Sequence, residues 1–347
     1  MAQQRRGYNG GLPLSERKLI ERLRRLAGAP RPGLYGVRTG IGDDCAILQL
    51  PSGHEALITT DLTLEGVHFE RAWHPPDAVG HRCLARGLSD LAAMGGEPVA
   101  AFLSLALPRE LPQRWVDEFL RGLLKLARRH GVQLAGGDTA ESAGGIVADM
   151  VVVGQVAAGT AVRRWGAHPG DSICVTGTLG RSAAILEELR AGRFSGKPGS
   201  KEAAAHFYPV PRLEAGKALR ERHLASAMID LSDGLSTDLA HICKESGVGA
   251  LVQEHSVPRL PTTQPAGGNS LHYALHGGED YELLFTVPAK RSVPEKIGGA
   301  RVTRIGEIIA GRKMWLVDSH GQRKPLQPAG WEHFAGGAGR RAAKAKG

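Results

Sequence analysis

Acidic residues next to glycine, serine or threonine recur along this sequence, and they are the side chains best suited to chemistry. The clearest case is residues 40–46, where Asp43 and Asp44 are adjacent. Two neighbouring carboxylates repel each other, and aspartate is a poor former of helices and strands, so we expect a solvated turn or a bound cation there. Single aspartates follow in similar settings; they are Asp61, Asp90, Asp138, Asp230 and Asp233.

Carboxylates of this kind suit a hard cation. Magnesium usually binds one or two carboxylates together with phosphate oxygens and water. One aspartate alone is more often a turn or capping residue. Several in related settings favour a site for more than one magnesium ion, with Asp61 and Asp138 as the strongest candidates. Thr59 and Thr60 directly precede Asp61 and offer further oxygen atoms.

The two commonest phosphate-binding loops are missing from the sequence. Gly196 and Lys197 are followed by Pro198, which breaks the Walker pattern, and we find no protein-kinase catalytic loop or glycine-rich lid. If a nucleotide binds, carboxylates and magnesium are the remaining means of holding its phosphates.

Four other features have a functional and a structural interpretation. His68 could bind an anion, but a lone histidine is more often structural. Residues 177–180 could receive a phosphate at a helix N-terminus or form a plain turn. Arg164, beside Arg163, could clamp a phosphate or be solvated. Trp331 could stack on a planar ligand or anchor the last segment.

Glu279 and Asp280 lie between two glycines and an apolar strand, as the first acidic pair does. Since they fall in the second half of the chain, we expect them to face the same cleft as the other acids from its opposite side.

Length and composition indicate a soluble globular protein. The 347 residues are enough for two domains, and 42% of them are hydrophobic. The polar N-terminus and the lack of an 18-residue apolar run predict neither a signal peptide nor a membrane span. The four cysteines are far apart and form no CxxC pair, so we expect them reduced, in a cytoplasmic protein without a zinc site.

The net charge of +9 belongs to the chain ends. Residues 1–38 contain nine basic and two acidic residues, and residues 340–347 contain four basic and no acidic ones, which leaves the body slightly acidic. Basic ends are usually solvated tails, so nucleic-acid binding is an unfavoured interpretation.

The elements that must position the acids alternate between strands and helices. Strands over residues 46–50 and 56–60 are predicted to form a hairpin, and amphipathic helices are predicted over residues 77–94 and 112–130. The composition shifts near residues 159–170, where we place a domain boundary.

Several segments together resemble the thiamine-monophosphate kinases of the aminoimidazole ribonucleotide synthetase superfamily. They keep the family's order over most of residues 36–334; they are GIGDDCA (40–46), TTDLTLEGVHF (59–69), LSDLAAMGGEP (88–98), LAGGDT (134–139), IDLSDGLSTDL (229–239), HGGEDYELLFTV (276–287) and GWEHF (330–334).

The resemblance implies a two-domain α+β and α/β fold. A mixed N-terminal sheet with helices would pair with its twin across a homodimer, and a C-terminal α/β sandwich domain would follow. The predicted limits are an N-terminal extension with a helix (1–35), an ATP- and magnesium-binding domain (36–160), the C-terminal domain (161–334) and a basic disordered tail (335–347).

The resemblance also assigns residues, position by position. The implied magnesium ligands are Asp44, Thr59, Thr60, Asp61, Asp90, Asp138, Asp230 and Asp233. The implied ATP contacts are Gly137, Asp138, Arg164 and Ser232. The implied contacts to thiamine monophosphate are His68, Glu279 and Trp331, where Trp331 stands in place of the Tyr of some family members.

The implied reaction is direct in-line transfer of the γ-phosphoryl group of ATP to thiamine monophosphate, which yields thiamine diphosphate and ADP. Several magnesium ions would assist, and no acid or base residue would be catalytic. The alternative is another ATP-dependent superfamily member, such as a ring-forming ligase or a selenophosphate synthetase. The latter needs a reactive cysteine near the N-terminus, and Cys45, inside the acidic motif, is no candidate.

Overall fold

The computed structural model describes residues 16–29, 35–41, 45–261 and 270–331 of the chain. Asp44 and the basic tail predicted at residues 335–347 therefore lie outside the described residues. The helix predicted in the N-terminal extension is confirmed as α1, where Leu19 and Leu23 are buried and Gly28 follows the last turn with φ 78°.

Helices and strands alternate along most of the described chain. The helices are α1 (Glu16–Ala27), α2 (Pro76–Ala93), α3 (Gln113–Arg129), α4 (Arg181–Arg190), α5 (Ala204–Phe207), α6 (Leu213–Glu221), α7 (Leu235–Ser246) and α8 (Ser270–His276). The strands are β1 (Gly36–Thr39), β2 (Ile47–Gln49), β3 (His54–Leu64), β4 (Glu97–Pro108), β5 (Gln133–Ser142), β6 (Val147–Ala157), β7 (Ser172–Thr176), β8 (Ala227–Asp230), β9 (Gly249–Gln253), β10 (Leu283–Val287), β11 (Lys296–Ile297), β12 (Ala300–Ile309), β13 (Met314–Val317) and β14 (Arg323–Pro325).

The first sheet has the strand order β3-β6-β4-β5 and is mixed, as predicted, because only β4 and β5 are parallel. Side chains alternate between its two faces. Leu57 of β3 is buried toward the helices, whereas its neighbour Ile58 is 70% exposed on the other face. We call this second face the open face of the sheet.

The second sheet has the order β14-β13-β9-β12-β7-β10-β8, with β11 paired to β12. Every residue of the central strands β7 and β10 is buried, which explains why apolar residues predominate in both. Cys174 and Phe285 face the core that contains α2, α3 and α6, while Ile173 and Leu284 face a second core with α7. Helix α2 therefore lies between the two sheets.

The predicted hairpin of residues 46–50 and 56–60 is wrong. Strand β2 pairs with β1 and packs over Phe102 and Ala135 on the first sheet, whereas β3 pairs with β6 along eleven residues. The turn reverses the chain locally, but the longer ladder with β6 decides where β3 pairs. The two predicted helices are confirmed as α2 and α3.

The first sheet uses strands from residues 54–157 and the second from residues 172–325, while the domain limits stay a prediction. In the described part of the chain, no helix combines the length and apolar character needed to cross a membrane. All four cysteines are free, and Cys45 alone is exposed.

Two glycines allow α2 and α3 to approach closely. A Cβ at Gly80 would lie 1.9 Å from the Phe119 carbonyl oxygen, and one at Gly122 would lie 1.9 Å from that of Asp77. Backbone cannot move aside as a side-chain tip can, so both positions require glycine.

We predict that Gly122→Ala lowers the free energy of unfolding by about 1–3 kcal/mol, because the added methyl group forces the two helices apart. Urea unfolding monitored by circular dichroism measures the change. Gly144→Ala is the control, since no heavy atom lies within 4 Å of a Cβ there and its φ is not positive. Equal stability of the two variants would contradict the packing argument.

Candidate active site

Helix α2 presents a polar stripe to the space between the sheets. Arg82, Arg86 and Asp90 follow at intervals of four residues and so lie on one face of the helix, with Ser89 beside Asp90. Most other side chains of α2 are buried apolar groups. A polar stripe on an otherwise buried helix has to be satisfied by the elements it faces.

Three predicted acids meet at this stripe, although they come from different elements. Asp61 of β3, Asp90 of α2 and Asp230 at the end of β8 line one cleft. Arg86 donates to Asp61 at 3.3 Å, and the Ser89 hydroxyl donates to Asp230 at 2.7 Å.

The electrostatic environment of these acids is unfavourable for negative charge. Burial, with Asp90 nearby, raises the pKa of Asp61 to about 6, against the opposing effect of Arg86. Burial and the neighbouring acids Asp90 and Asp61 raise the pKa of Asp230 to about 7. Burial also raises the pKa of Asp90, while the Thr59 hydroxyl donates to its carboxylate and lowers it. A cation in the cleft would relieve this repulsion.

The donor set fits magnesium in its usual mode of binding. Across the described residues, no three His, Cys, Asp or Glu side chains are arranged to hold a metal ion by themselves. Magnesium commonly takes only one or two carboxylates and completes its shell with water and phosphate oxygens. The acids of this cleft therefore suit a cation that arrives together with a phosphate ligand.

The opposite wall of the cleft consists of two loops tied together by their backbones. The Glu279 amide donates to the Ser232 carbonyl at 2.8 Å, and the Tyr281 amide donates to that of Leu231 at 2.9 Å. Glu279 and Tyr281 have φ values of 66° and 51°, which non-glycine residues rarely adopt. Such local strain is concentrated at functional sites.

Close backbone packing brings the predicted residues of these loops to the cleft. A Cβ at Gly278 would lie 2.4 Å from the Ser232 carbonyl oxygen, so glycine is needed for the contact. Ser232, Asp233 and Glu279 all line the cleft. The expectation that Glu279 faces the other acids from the second half of the chain is met.

Asp280 has a different environment from Glu279. Its carboxylate accepts the Gly180 amide at 2.7 Å, at the start of α4, and burial raises its pKa to about 8. Glu279 therefore lines the cleft and Asp280 does not, because the two adjacent side chains point in different directions. Asp280 also takes one of the amides at the α4 N-terminus, which favours the structural interpretation of residues 177–180.

A buried arginine holds Glu279. Arg82 donates to Glu279 and is only 3% exposed. Burial alone would raise the pKa of Glu279, but Arg82, assisted by His206 and Arg86, lowers it to about 2. Glu279 therefore stays ionised while it lines the cleft.

His68 and Trp331 also belong to the lining. The Leu64 amide donates to Nδ1 of His68 at 3.0 Å, which assigns the ring proton to Nε2. The Trp331 amide donates to the Asp233 carbonyl oxygen at 3.1 Å. Trp331 as a whole is 47% exposed. Both side chains line the same cleft as Glu279.

Apolar and basic groups complete the cleft. Val67, Ala183 and Leu186 add apolar side chains to the lining, and Arg190 of α4 adds a basic one. Arg164 is exposed, yet it is near enough to lower the pKa of both Asp90 and Asp230. The lining thus combines acids for cations, arginines for anions and a surface for a ring.

Several of the predicted residues are absent from the lining of this cleft. Thr59 and Arg164 still act on it through Asp90, whereas the remaining ones lie elsewhere. The Thr60 hydroxyl donates to Asp149 at 2.7 Å on the open face. Asp138 is exposed. It is paired with Ser104 on the neighbouring strand, and Ser104 is paired with Asp149, so all three residues lie on that same face. Gly137 precedes Asp138 and has a φ of 141°, with a Cβ excluded by the Leu103 carbonyl. Asp44 lies outside the described residues.

Sequence reasoning missed Arg82 and Arg86. Their spacing of four residues from each other, and of Arg86 from Asp90, was visible in the sequence as a charged stripe on a helix otherwise rich in small apolar residues. That signal is ordinarily read as a solvated face, and only the burial of α2 between two sheets makes it significant.

Comparisons with known proteins agree with this architecture. The family model described as AIR synthase related protein, N-terminal domain, matches residues 42–156, and the model for the C-terminal domain matches residues 168–318. Thiamine-monophosphate kinase from Salmonella typhimurium is 40% identical, over 88% of this chain and 94% of the relative.

Two solved structures are similar over most of their length. A crystal structure of thiamine-monophosphate kinase from Stenotrophomonas maltophilia K279a has a TM-score of 0.75 at 33% identity and covers 90% of this chain and 98% of its own. A structure described as AaThiL complexed with AMPPCP and TMP has a TM-score of 0.73 at 33% identity and covers 82% and 89%. The resemblance of the sequence motifs is therefore confirmed, and this chain belongs to the thiamine-monophosphate kinase family of AIR synthase related proteins.

Proposed function

We propose that this protein transfers the γ-phosphoryl group of ATP to the phosphate of thiamine monophosphate. The observation that carries the proposal is the meeting of Asp61, Asp90 and Asp230 in one cleft that Glu279 and Trp331 also line. Family membership supports it, as does a related structure whose described ligands are AMPPCP and TMP.

The chemistry asks for positioning and charge neutralisation rather than for a base. The acceptor is a phosphate with a second pKa near 6, so it is already mostly ionised at pH 7. Two anions must approach in line, and arginines at the cleft reduce their repulsion. Arg164 and Ser232 are the predicted ATP contacts, and Ser232 lines the cleft. We infer direct transfer without a phosphorylated protein.

Asp61, Asp90 and Asp230, with the Thr59 hydroxyl, are the residues that would hold magnesium in the cleft. When bound, magnesium supplies positive charge that neutralises the phosphate oxygens during transfer. Asp233 lines the same cleft and is a further candidate ligand.

His68, Glu279 and Trp331 would bind thiamine monophosphate. Its thiazolium ring is positively charged, and a tryptophan face attracts a flat cation. Glu279 adds a permanent negative charge because its pKa is about 2. Val67 and Leu186, which also line the cleft, would contact the rest of the ring system.

We also propose a homodimer through the open face of the first sheet. Ile58 is 70% and Leu62 is 50% exposed there, although sheet faces that contact water are normally polar. Thr60, Gly137 and Asp138 would then contact magnesium or ATP at this face, near the dimer interface.

An assay of ADP release tests the function directly. We expect ATP consumption that depends on thiamine monophosphate, with no turnover of free thiamine, because the proposed acceptor atom is a phosphate oxygen. Aminoimidazole precursors and selenide are the competing substrates, and turnover of either instead would favour a ring-forming ligase or a selenophosphate synthetase.

We predict that Asp61→Asn lowers kcat by about 100-fold or more, as loss of a charge-stabilising group often does. Asp117→Asn is the matched control, because Asp117 is also paired with an arginine, Arg22 at 2.6 Å, but lies on α3 away from the cleft. Steady-state kinetics at saturating ATP and magnesium measure both variants. Wild-type kcat in Asp61→Asn would remove Asp61 from the proposed ligand set.

We predict that Ile58→Asp yields a monomer, because an unpaired charge would be buried in the proposed interface. Light scattering after size-exclusion chromatography measures the mass. Val210→Asp is the control, since Val210 is 40% exposed outside this sheet. A wild-type protein that is monomeric at micromolar concentration would refute the proposed dimer.

A further inference from the structure

Arg82 makes contacts that tie both halves of the proposed substrate site to one helix. Its Nη2 atom donates to the Glu279 carboxylate and, at 3.3 Å, to the His68 carbonyl oxygen. Its Nη1 atom donates to the His206 carbonyl oxygen of α5. One guanidinium thus joins the loop after β3, the loop before β10 and α5.

The side chain is placed to act through its neighbours. Arg82 is 3% exposed and is absent from the cleft lining, whereas Glu279 and His68 are part of it. We therefore propose that Arg82 is a positioning residue for thiamine monophosphate: it fixes the orientation of the Glu279 carboxylate and its distance from the His68 backbone. This inference rests on the proposed function.

The chemistry of the side chain explains why arginine suits the position. Its planar head carries five N–H donors in a fixed fork, so one residue can satisfy three acceptors at set angles. A lysine has the charge but no such plane. Buried ion pairs contribute little net stability, so the value of this contact is geometric.

Glu279 depends on this partner because its own backbone is strained. With φ at 66°, its conformation is maintained by surrounding contacts rather than by local preference. The hydrogen bond from the Glu279 amide to the Ser232 carbonyl oxygen holds the backbone, and Arg82 holds the carboxylate. Without the guanidinium, the Glu279 carboxylate would turn toward water or toward another hydrogen-bond donor.

A kinetic experiment separates positioning from a purely structural role. KM for thiamine monophosphate and KM for ATP are measured independently in the wild type and in Arg82→Met, Arg82→Lys and Glu279→Gln. We expect Arg82→Met to raise KM for thiamine monophosphate about 10-fold or more, while KM for ATP changes less than about twofold. Arg82→Lys should restore part of the loss, because it returns the charge without the fork.

The double variant Arg82→Met/Glu279→Gln tests the coupling. If Arg82 acts through Glu279, the KM of the double variant for thiamine monophosphate should be within about twofold of that of the worse single variant. Multiplied effects in the double variant would overturn the proposal, as would an unchanged KM in folded Arg82→Met or parallel rises in both KM values.

Arg220→Met is the matched control. Arg220 of α6 is 7% exposed and pairs with Glu97 of β4 at 3.4 Å, and neither residue lines the cleft. We expect it to lower the melting temperature while both KM values stay at the wild-type level. If Arg82→Met does not fold, Arg82→Lys decides: a raised KM for thiamine monophosphate alone supports the proposal, and wild-type KM values overturn it.

The same data distinguish the failure of each idea. A wild-type protein without activity on thiamine monophosphate overturns the proposed function. An active wild type whose Glu279→Gln variant has an unchanged KM overturns the substrate contact and, with it, the role of Arg82. An effect of Glu279→Gln without any effect of the Arg82 variants overturns the positioning role alone.

Discussion

Burial of α2 between the two sheets is the constraint on which the rest of the structure depends. Gly80 lets α3 pack against one side, and a Cβ at Gly87 would lie 2.5 Å from the Val152 side chain of the first sheet. A helix covered on so many sides can keep polar groups only where polar partners face them. The stripe of Arg82, Arg86 and Asp90 meets such partners in Glu279 and Asp61, so the packing of the helix and the position of the cleft have one cause.

Neighbouring arginines offset part of the negative charge in the cleft. Acids from β3, α2 and β8 converge there, and the hydrogen bond from Arg86 to Asp61 offsets part of the repulsion that Asp61 experiences. The second acid group, Glu279, is kept ionised by Arg82. One region therefore retains raised carboxylate pKa values that a cation would lower, and another keeps Glu279 ionised beside a buried arginine.

The wall opposite α2 owes its shape to backbone contacts. Gly278 lets the loop before β10 lie directly on the loop after β8, where a Cβ would lie 2.4 Å from the Ser232 carbonyl oxygen. Gly277 packs as closely against α8, where a Cβ would lie 2.4 Å from the Tyr273 carbonyl oxygen. Hydrogen bonds from Glu279 and Tyr281 then fix positive φ values that their side chains disfavour. Strain of this kind keeps Glu279 directed at the cleft, which a relaxed loop would not do.

By itself the sequence determined the elements and the chemical inventory. Helices α2 and α3 were predicted to within one residue at each end because an amphipathic period is a local signal, and the acids were recognised by their glycine and serine neighbours. Only the tertiary structure decided that β2 pairs with β1, that Thr60 and Asp138 lie on the open face, and that Arg82 is buried beside Glu279. Strand pairing and burial depend on contacts between residues far apart in the chain, and these have no local signature.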